Sequence, residues 1–478
     1  MRDGATLTFS RNSPLATRNY IPPIMRFNNI AVLAVIITCL FGSSLFAREK
    51  QKLTKEQLQK LEESWKPFSE ETPRLKETPS VNKKDVDVCV EKAINFLLTT
   101  QRPSGCWGAP TKTKKVNIYS PMPDSHVSYI VGTTGLAISS LCEWEDKAPK
   151  SVRDKITPAI EKGQAWLIKT LPEFRRSSYE TTLNNWGHIY ALFALPRLYE
   201  RAEKAGNNQL QKQLVLLMQE QVAKLVRYEN IHGGWSYYDY ESPSTRPGFV
   251  SMSFNTAAGL VSLYEVSQLK ISKDILPEGK IAIPESLISR AVASLTQQQK
   301  PDFSYTYSTA HTNRPLYGIN RASGSLGRTQ ACNAALLYWT TLRTDEQIQD
   351  AKDGKKVPAT ALPYARFVSQ QVLLDSLDRF VARIGWLDGA RKHSVPHDHF
   401  NKIAGYFYYF GHLYASQEML ELESKAEQKR IAAHLTSILM SVQDQDGSYW
   451  DFVMYDYGQP WGTSMALISL ARCYEFIK

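Results

Sequence analysis

The sequence predicts an all-α protein, six helix hairpins closed into an (α/α)6 toroid with an inner and an outer ring of helices. Three observations carry that prediction. A break of the form Gln-x-x-x-Gly-x-Trp returns along the chain, a helix-period apolar run precedes each break, and a second run with small residues at fixed offsets follows it. A unit that repeats is architecture first.

The clearest break is Gln101, Gly105 and Trp107 in "QRPSGCWG". Gln443, Gly447 and Tyr449 repeat it near the C-terminus, and Glu229, Gly233 and Trp235 repeat it between them. "QKPDFSY" keeps Gln299 and Tyr305 but has Phe303 for the Gly, while "NNWG" at 184–187 and "GWLDG" at 385–389 are degenerate copies. In such a break a helix ends and Gly supplies the turn. The Gln side chain can bond the frayed carbonyls, and the ring packs back on the helices. Before the first break, Val86, Val90, Ala93 and Leu97 form one helical stripe. After the breaks the second runs align without gaps. Thr134, Ala137 and Leu141 match Thr256, Gly259 and Leu263, then Thr329, Cys332 and Leu336, then Thr463, Ala466 and Leu470. His188, Ala191 and Leu195, and Lys402, Gly405 and Tyr409, keep the spacing in the second and fifth copies. Small residues at one offset let six helices crowd around an axis as the inner ring. An open row of helical repeats is the alternative.

Composition sets the bounds. The chain has 478 residues, 43% hydrophobic and 22% charged, an ordinary globular balance. Met25-Arg26 precedes "IAVLAVIITCLFG", 13 apolar or small residues, and then "SSLFA". This is the pattern of a secretory signal, with the start expected at Met25 and cleavage after Ser44 or Ala47. A membrane anchor needs about 20 apolar residues. The expected organisation is a leader over 1–47, a charged linker with a short helix over 48–84, and the toroid over 85–478. Export would place the protein in the periplasm or at the cell surface of a bacterium, as a monomer with no stable membrane span after cleavage. Removing 1–47, with Arg2, Arg11, Arg18, Arg26 and Asp3, lowers the formal charge from +10 to +7. That charge is spread out, without the dense basic block of a nucleic-acid partner. Cys89, Cys106, Cys142, Cys332 and Cys473 remain, an odd number without a C-x-x-C pair, so neither a disulfide framework nor a zinc knuckle is expected.

The Gln-x-x-x-Gly-x-Trp breaks with paired helices resemble the repeats of the squalene cyclase and prenyltransferase superfamily, over about residues 85–478. The resemblance implies the toroid. The chemistry does not come with it. The D-x-D-D acid of class II terpene cyclases is absent, and "DVDV" at 85–88 is the nearest string. No Asp-x-Cys pair stands late in the toroid, where prenyltransferases bind zinc, and "SGCWG" is not the Gly-Cys-Gly-Glu-Gln of thioester toroids. No cofactor is expected.

Geometry says where a site would lie. Inner helices that run the same way pool their N-termini, each with free N–H groups and about half a positive charge, at one rim. The long loops at that rim, roughly 108–127, 236–253, 304–328, 387–400 and 450–461, are rich in rings, among them Tyr237, Tyr238, Tyr240, Tyr305, Tyr307, Tyr317, Tyr455, Tyr457 and Trp461. Tyr237, Tyr238, Tyr305 and Trp461, with Asn255 and the cationic Lys402, are the candidate ligand-binding residues of a central bowl. His188, in the register where four copies have Thr, and His397 with Asp398 are the candidate acid/base groups. "HSVPHDHF" leaves three readings open: helix capping, acid/base chemistry, or a weak metal site of His393, His397 and His399. The leading functional expectation is an exported toroid binding a small molecule, glycan, lipid or partner protein in its bowl. The alternatives are a glycan-active lyase or hydrolase using His188 and the His393–His399 loop, and an isoprenoid-processing enzyme.

Overall fold

The computed structural model describes residue 75 and residues 77–111, 126–148, 150–174, 183–239, 248–393, 403–452 and 455–477. The expected leader and most of the expected linker lie outside them.

The first three hairpins are α1 (Lys83–Thr100) with α2 (Val127–Glu145), α3 (Lys150–Thr170) with α4 (Trp186–Lys204), and α5 (Asn208–Arg227) with α6 (Ser253–Gln268). The fourth is α7 (Glu285–Gln298) with α8 (Ala322–Trp339), followed by a short α9 (Asp345–Lys352). The fifth is α10 (Gln370–Arg383) and α12 (Tyr408–Leu420), with the one-turn α11 (Gly385–Asp388) between them; the sixth is α13 (Lys425–Ser441) with α14 (Gly458–Cys473). Two-residue strands β1 (Leu183–Asn184) and β2 (Tyr238–Asp239) pair antiparallel in the rim loops, and β3 (Thr341–Leu342) and β4 (Ala361–Leu362) pair in parallel beside α9.

The even-numbered helices α2, α4, α6, α8, α12 and α14 form the inner ring. Each packs on the next, and α14 packs on α2 as it does on α12. That last contact closes the circle and excludes the open row. The inner helices are buried on every side: Val131 to Leu141 of α2 are all buried, Ser and Thr included. Outer α10 instead buries one stripe, chiefly Leu373, Leu377 and Phe380. Small residues set the inner spacing. A Cβ on Gly135 would stand 2.3 Å from the Tyr190 carbonyl oxygen of the next inner helix, and one on Gly411 would stand 3.0 Å from the Gly327 Cα.

The breaks fasten the two rings together. Gln101 donates to the Gly105 carbonyl at 2.9 Å and to Ala159 of the next outer helix at 2.8 Å. Gln443 does the same to Gly447 at 3.1 Å and to Cys89 of α1 at 2.8 Å, so the sixth break grips the first helix. Gly105 and Gly447 hold φ of 102° and 86°, and a Cβ on either would strike the neighbouring outer helix's backbone. In the fourth copy Phe303 accepts the left-handed region, at φ 55°. Where Glu229 replaces Gln, it pairs with Arg290 of the next outer helix at 3.1 Å. Trp107 and Trp235 are fully buried and each donates its indole N–H to a carbonyl ten residues back, Leu97 at 2.7 Å and Leu225 at 2.8 Å. The aligned threonines explain their register: Thr134, Thr256 and Thr463 accept the backbone N–H of Trp107, Trp235 and Tyr449 at 3.1, 3.0 and 2.9 Å. The five described cysteines are free thiols.

Trp107→Ala and Trp235→Ala are each expected to cost about 3–5 kcal/mol in urea unfolding, as large aromatic truncations in a core do. A loss near zero for either would show that its ring does not hold the two helical rings together.

Candidate functional site: an aromatic mouth at the inner-helix N-termini

The inner helices bring their first turns to one rim, and rings meet there. Trp186 opens α4 and stacks on Trp461 of α14, centroids 4.9 Å apart, while Tyr190 meets Trp461 edge-on at 5.0 Å. Tyr129 of α2 stacks on Tyr457 at 5.1 Å, and His126, at the N-cap of α2, meets Tyr455 edge-on at 4.3 Å. On the other side Phe254 of α6 touches Tyr237, Tyr307 and Phe407 at 5.2, 5.5 and 5.0 Å. Tyr406 joins the halves through Phe452 at 6.2 Å. The layer is continuous because each inner helix starts, or is approached by a loop, with an aromatic residue.

Three phenols meet within this layer. Tyr237 and Tyr307 share a hydrogen bond, and each lies within reach of the Tyr406 hydroxyl, at 3.2 and 3.1 Å. Beneath them the guanidinium of Arg328 (α8) lies 5.6 Å from the Tyr307 ring and 6.0 Å from Phe407. Arg328 is fully buried; it donates to the carbonyls of Gly324, Tyr305 and Ile319 at 2.6, 2.8 and 2.8 Å, and its Nε has no partner. No carboxylate among the described residues pairs with it. Burial pushes Arg328 down to about 10, so it stays charged at neutral pH. Burial raises Tyr307, opposed by its bonds to Tyr237 and Tyr406 and by Arg328, so at neutral pH this phenol keeps its proton and can donate it. The mouth therefore holds flat apolar faces, clustered hydroxyls, pooled helix N-termini and an uncompensated cation. Beside it, buried Asp451 accepts the Tyr409 N–H that opens α12 at 3.2 Å, and burial raises its carboxyl to about 7.

The residues singled out from sequence divide. Tyr237 and Trp461 line the mouth. Tyr305 does not: it is the aromatic of the fourth break, fully buried, with its hydroxyl on Asn333 at 2.8 Å. Asn255 is also buried, and it braces the loop by donating to the Ser236 carbonyl, as Asn185 does at 2.9 Å. His188 was expected at the mouth. It is instead fully buried between the rings, its Nδ1 2.9 Å from Gln221 of outer helix α5 and its ring 4.5 Å from Phe174. The register explains this, since the aligned threonines also turn toward the breaks and outer helices rather than the axis. His393 is exposed. His397, Asp398, His399, Lys402 and the Tyr238 side chain lie outside the described residues, and among the described residues no His/Cys/Asp/Glu group has a metal-site arrangement.

Sequence reasoning missed His126, Tyr129, Trp186, Tyr406 and Arg328 as mouth residues. A signal existed for four of them: a ring in the first turn of an inner helix, as at Tyr129 and Trp186, or just before one, as at His126 and Tyr406. Arg328, one residue before the aligned Thr329, is the single charged residue of the run 322–339.

No protein-family model and no curated protein matches the chain. Among solved structures it is similar to an alpha-1,6-mannanase from Salegentibacter (9% identity, 82% of this chain and 100% of that one, TM-score 0.44). It is likewise similar to the type II terpene cyclase MstE from Scytonema (14%, 83% and 100%, TM-score 0.42) and to the unsaturated glucuronyl hydrolase of Streptococcus agalactiae (13%, 85% and 96%, TM-score 0.45).

Two outcomes are expected. His188→Ala should lower stability by about 2–4 kcal/mol, from a buried hydrogen bond lost and a cavity left; an unchanged denaturation midpoint would return that histidine to the mouth. Asp451 has a folded pKa above its ordinary value of 3.8, so the fold favours its protonated form. Its contribution is then fully present below about pH 4 and is lost as pH rises toward about 7. Melting curves should show Asp451→Asn gaining on the parent across that window, and a gap independent of pH would contradict the shift.

Proposed function

We propose that this protein is an exported toroid of the squalene cyclase and prenyltransferase type that binds an extended ligand in its aromatic mouth. The ligand has apolar faces and at least one hydrogen-bond-accepting or anionic group. The observation that carries the reading is the phenol trio of Tyr237, Tyr307 and Tyr406 over Arg328, set beside the stacked Trp186 and Trp461. Rings supply contact area at small entropic cost. Phenol O–H groups over a buried cation with no carboxylate partner favour an acceptor or anion. The family reading draws support from Gln101 and Gln443, which tie the first and last breaks to the next outer helix, and export rests on the segment from Met25 to Ala47.

A second reading, a glycan-active lyase or hydrolase, is favoured by His126. This imidazole lies 3.5 Å from the Tyr457 hydroxyl at the same mouth, a pairing of the kind acid/base chemistry on sugars uses.

Fluorescence of the purified chain, titrated with glycan and isoprenoid panels, tests the main reading. A ligand of the mouth is expected to change Trp186 and Trp461 emission, and Trp186→Phe with Trp461→Phe should remove most of that change while binding weakens. Saturable binding that leaves both tryptophans unaffected would sink the reading. Turnover of a polysaccharide, abolished by His126→Ala, would move the protein to the second.

A further inference from the structure

Two neighbouring loops at the mouth end, those that lead into α6 and α8, leave apolar side chains in solvent. Phe249 is 68% exposed, Tyr317 50%, Leu316 44% and Ile231 40%. Among the described residues eleven large apolar side chains are exposed, and four of them are these, so the exposure is concentrated at one place. The backbone ties the two loops together. The Ser251 N–H donates to the Thr309 hydroxyl at 3.1 Å, and the Thr309 N–H donates to the Ser251 carbonyl at 3.0 Å. On one side the Ile231 N–H donates to the carbonyl of Gly248, next to Phe249, at 3.1 Å. On the other, Tyr317 stacks on His311 with centroids 6.0 Å apart, and His311 meets Tyr307 of the mouth edge-on at 6.3 Å. The exposed rings are therefore joined to the aromatic mouth through His311.

Cations border this apolar rim. Arg314 and Arg321 are exposed, and neither has a carboxylate partner among the described residues. Arg321 donates to the Leu316 carbonyl at 3.1 Å, which sets the guanidinium beside the apolar pair. The chain has no Asp or Glu from residue 303 to residue 344. In the neighbouring loop Glu229 is buried and spent on Arg290 at 3.1 Å. The side chains of Asp239, Glu241 and Arg246 lie outside the described residues.

We propose that this rim seats the protein on an anionic lipid surface, with Phe249, Leu316 and Tyr317 entering the headgroup region and Arg314 and Arg321 meeting lipid phosphates. Aromatic rings are favoured at headgroup depth, and arginines gain from the negative surface of the bilayer. The attachment is peripheral: no helix among the described residues is long and apolar enough to cross a membrane. A stable protein partner would need about 800 Å2 on each side. Four side chains exposed by about half give only roughly 300–400 Å2. The seat lies beside the mouth and holds whether or not the mouth is filled.

Co-sedimentation of the full chain with vesicles tests the seat. Phosphatidylcholine vesicles with about 30% phosphatidylglycerol should retain the protein several-fold better than phosphatidylcholine alone, and salt should shrink the difference. The leader is common to every variant, so differences between variants report on the rim. Phe249→Ser with Tyr317→Ser should weaken binding to anionic vesicles about tenfold or more. Arg314→Glu keeps the rings, reverses one charge and should weaken it about tenfold. These side chains are exposed, so both variants are expected to melt with the parent. Hydrogen exchange in the parent should slow at 248–252 and 308–321 on anionic vesicles. Binding unchanged in both variants, or protection confined to other segments, overturns the proposal. Self-association that the Phe249→Ser, Tyr317→Ser pair abolishes, with no vesicle binding, overturns it in favour of an interface between copies of this chain.

Discussion

Closure of the inner ring is the constraint on which the rest of this molecule depends. Six helices surround one axis only if their facing sides are nearly flat, and Gly135, Gly327 and Gly411 lie where even a Cβ would meet a neighbour's backbone. An inner helix so enclosed has no solvent face, so its polar residues must find partners inside. The serines largely bond back into their own helices, as Ser139 does to the Gly135 carbonyl at 2.8 Å. Three of the aligned threonines, Thr134, Thr256 and Thr463, are put to a different use: they receive the aromatic residues of their breaks, while Thr329 bonds back to the Ser325 carbonyl.

The breaks then convert a ring into a rigid double wall. Gln101 holds the outer helix of the second hairpin, Glu229 pairs with Arg290 in the outer helix of the fourth, and Gln443 of the last hairpin holds the first. No single bond of this kind is worth more than about 1–2 kcal/mol. Their effect lies in repetition around a closed path, where loosening one joint disturbs two neighbours.

A closed parallel ring also has two unlike ends. At one, helix N-termini gather with aromatic rings and Arg328; at the other, helix C-termini gather with Glu143, Glu200 and Glu265. The polarity follows from the backbone dipoles. At the C-terminal end Arg197, Arg201 and Lys204 stand among the carboxylates, and Lys147 and Arg472 donate to the Ala471 and Leu413 carbonyls, so charges of both signs meet the dipoles there.

Much of this was legible in the sequence. The repeat, its spacing, the small-residue offset and the burial of Trp107, Trp235 and Tyr449 are local and periodic properties, and periodicity survives without coordinates. Tyr237 and Trp461 could be assigned to the mouth because loop length and helix direction place them there. The errors share one cause. His188, Tyr305 and Asn255 each sit near the mouth in sequence, but whether a first-turn residue faces the axis or the outer ring depends on a rotation of about 100° per residue. Only contact with another hairpin decides that rotation: Gln221 and Phe174 for His188, Asn333 for Tyr305, Ser236 for Asn255. The same holds for Arg328, whose charge is visible in the chain but whose neighbours come from loops and helices tens of residues away. The sequence by itself determined the six helix hairpins and their order, though not the short α9 and α11 or the late start of α12 at Tyr408, which leaves Gly405 before that helix. The tertiary structure decided that the ring closes and which side chains face its two ends, because both depend on contacts between segments far apart in the chain.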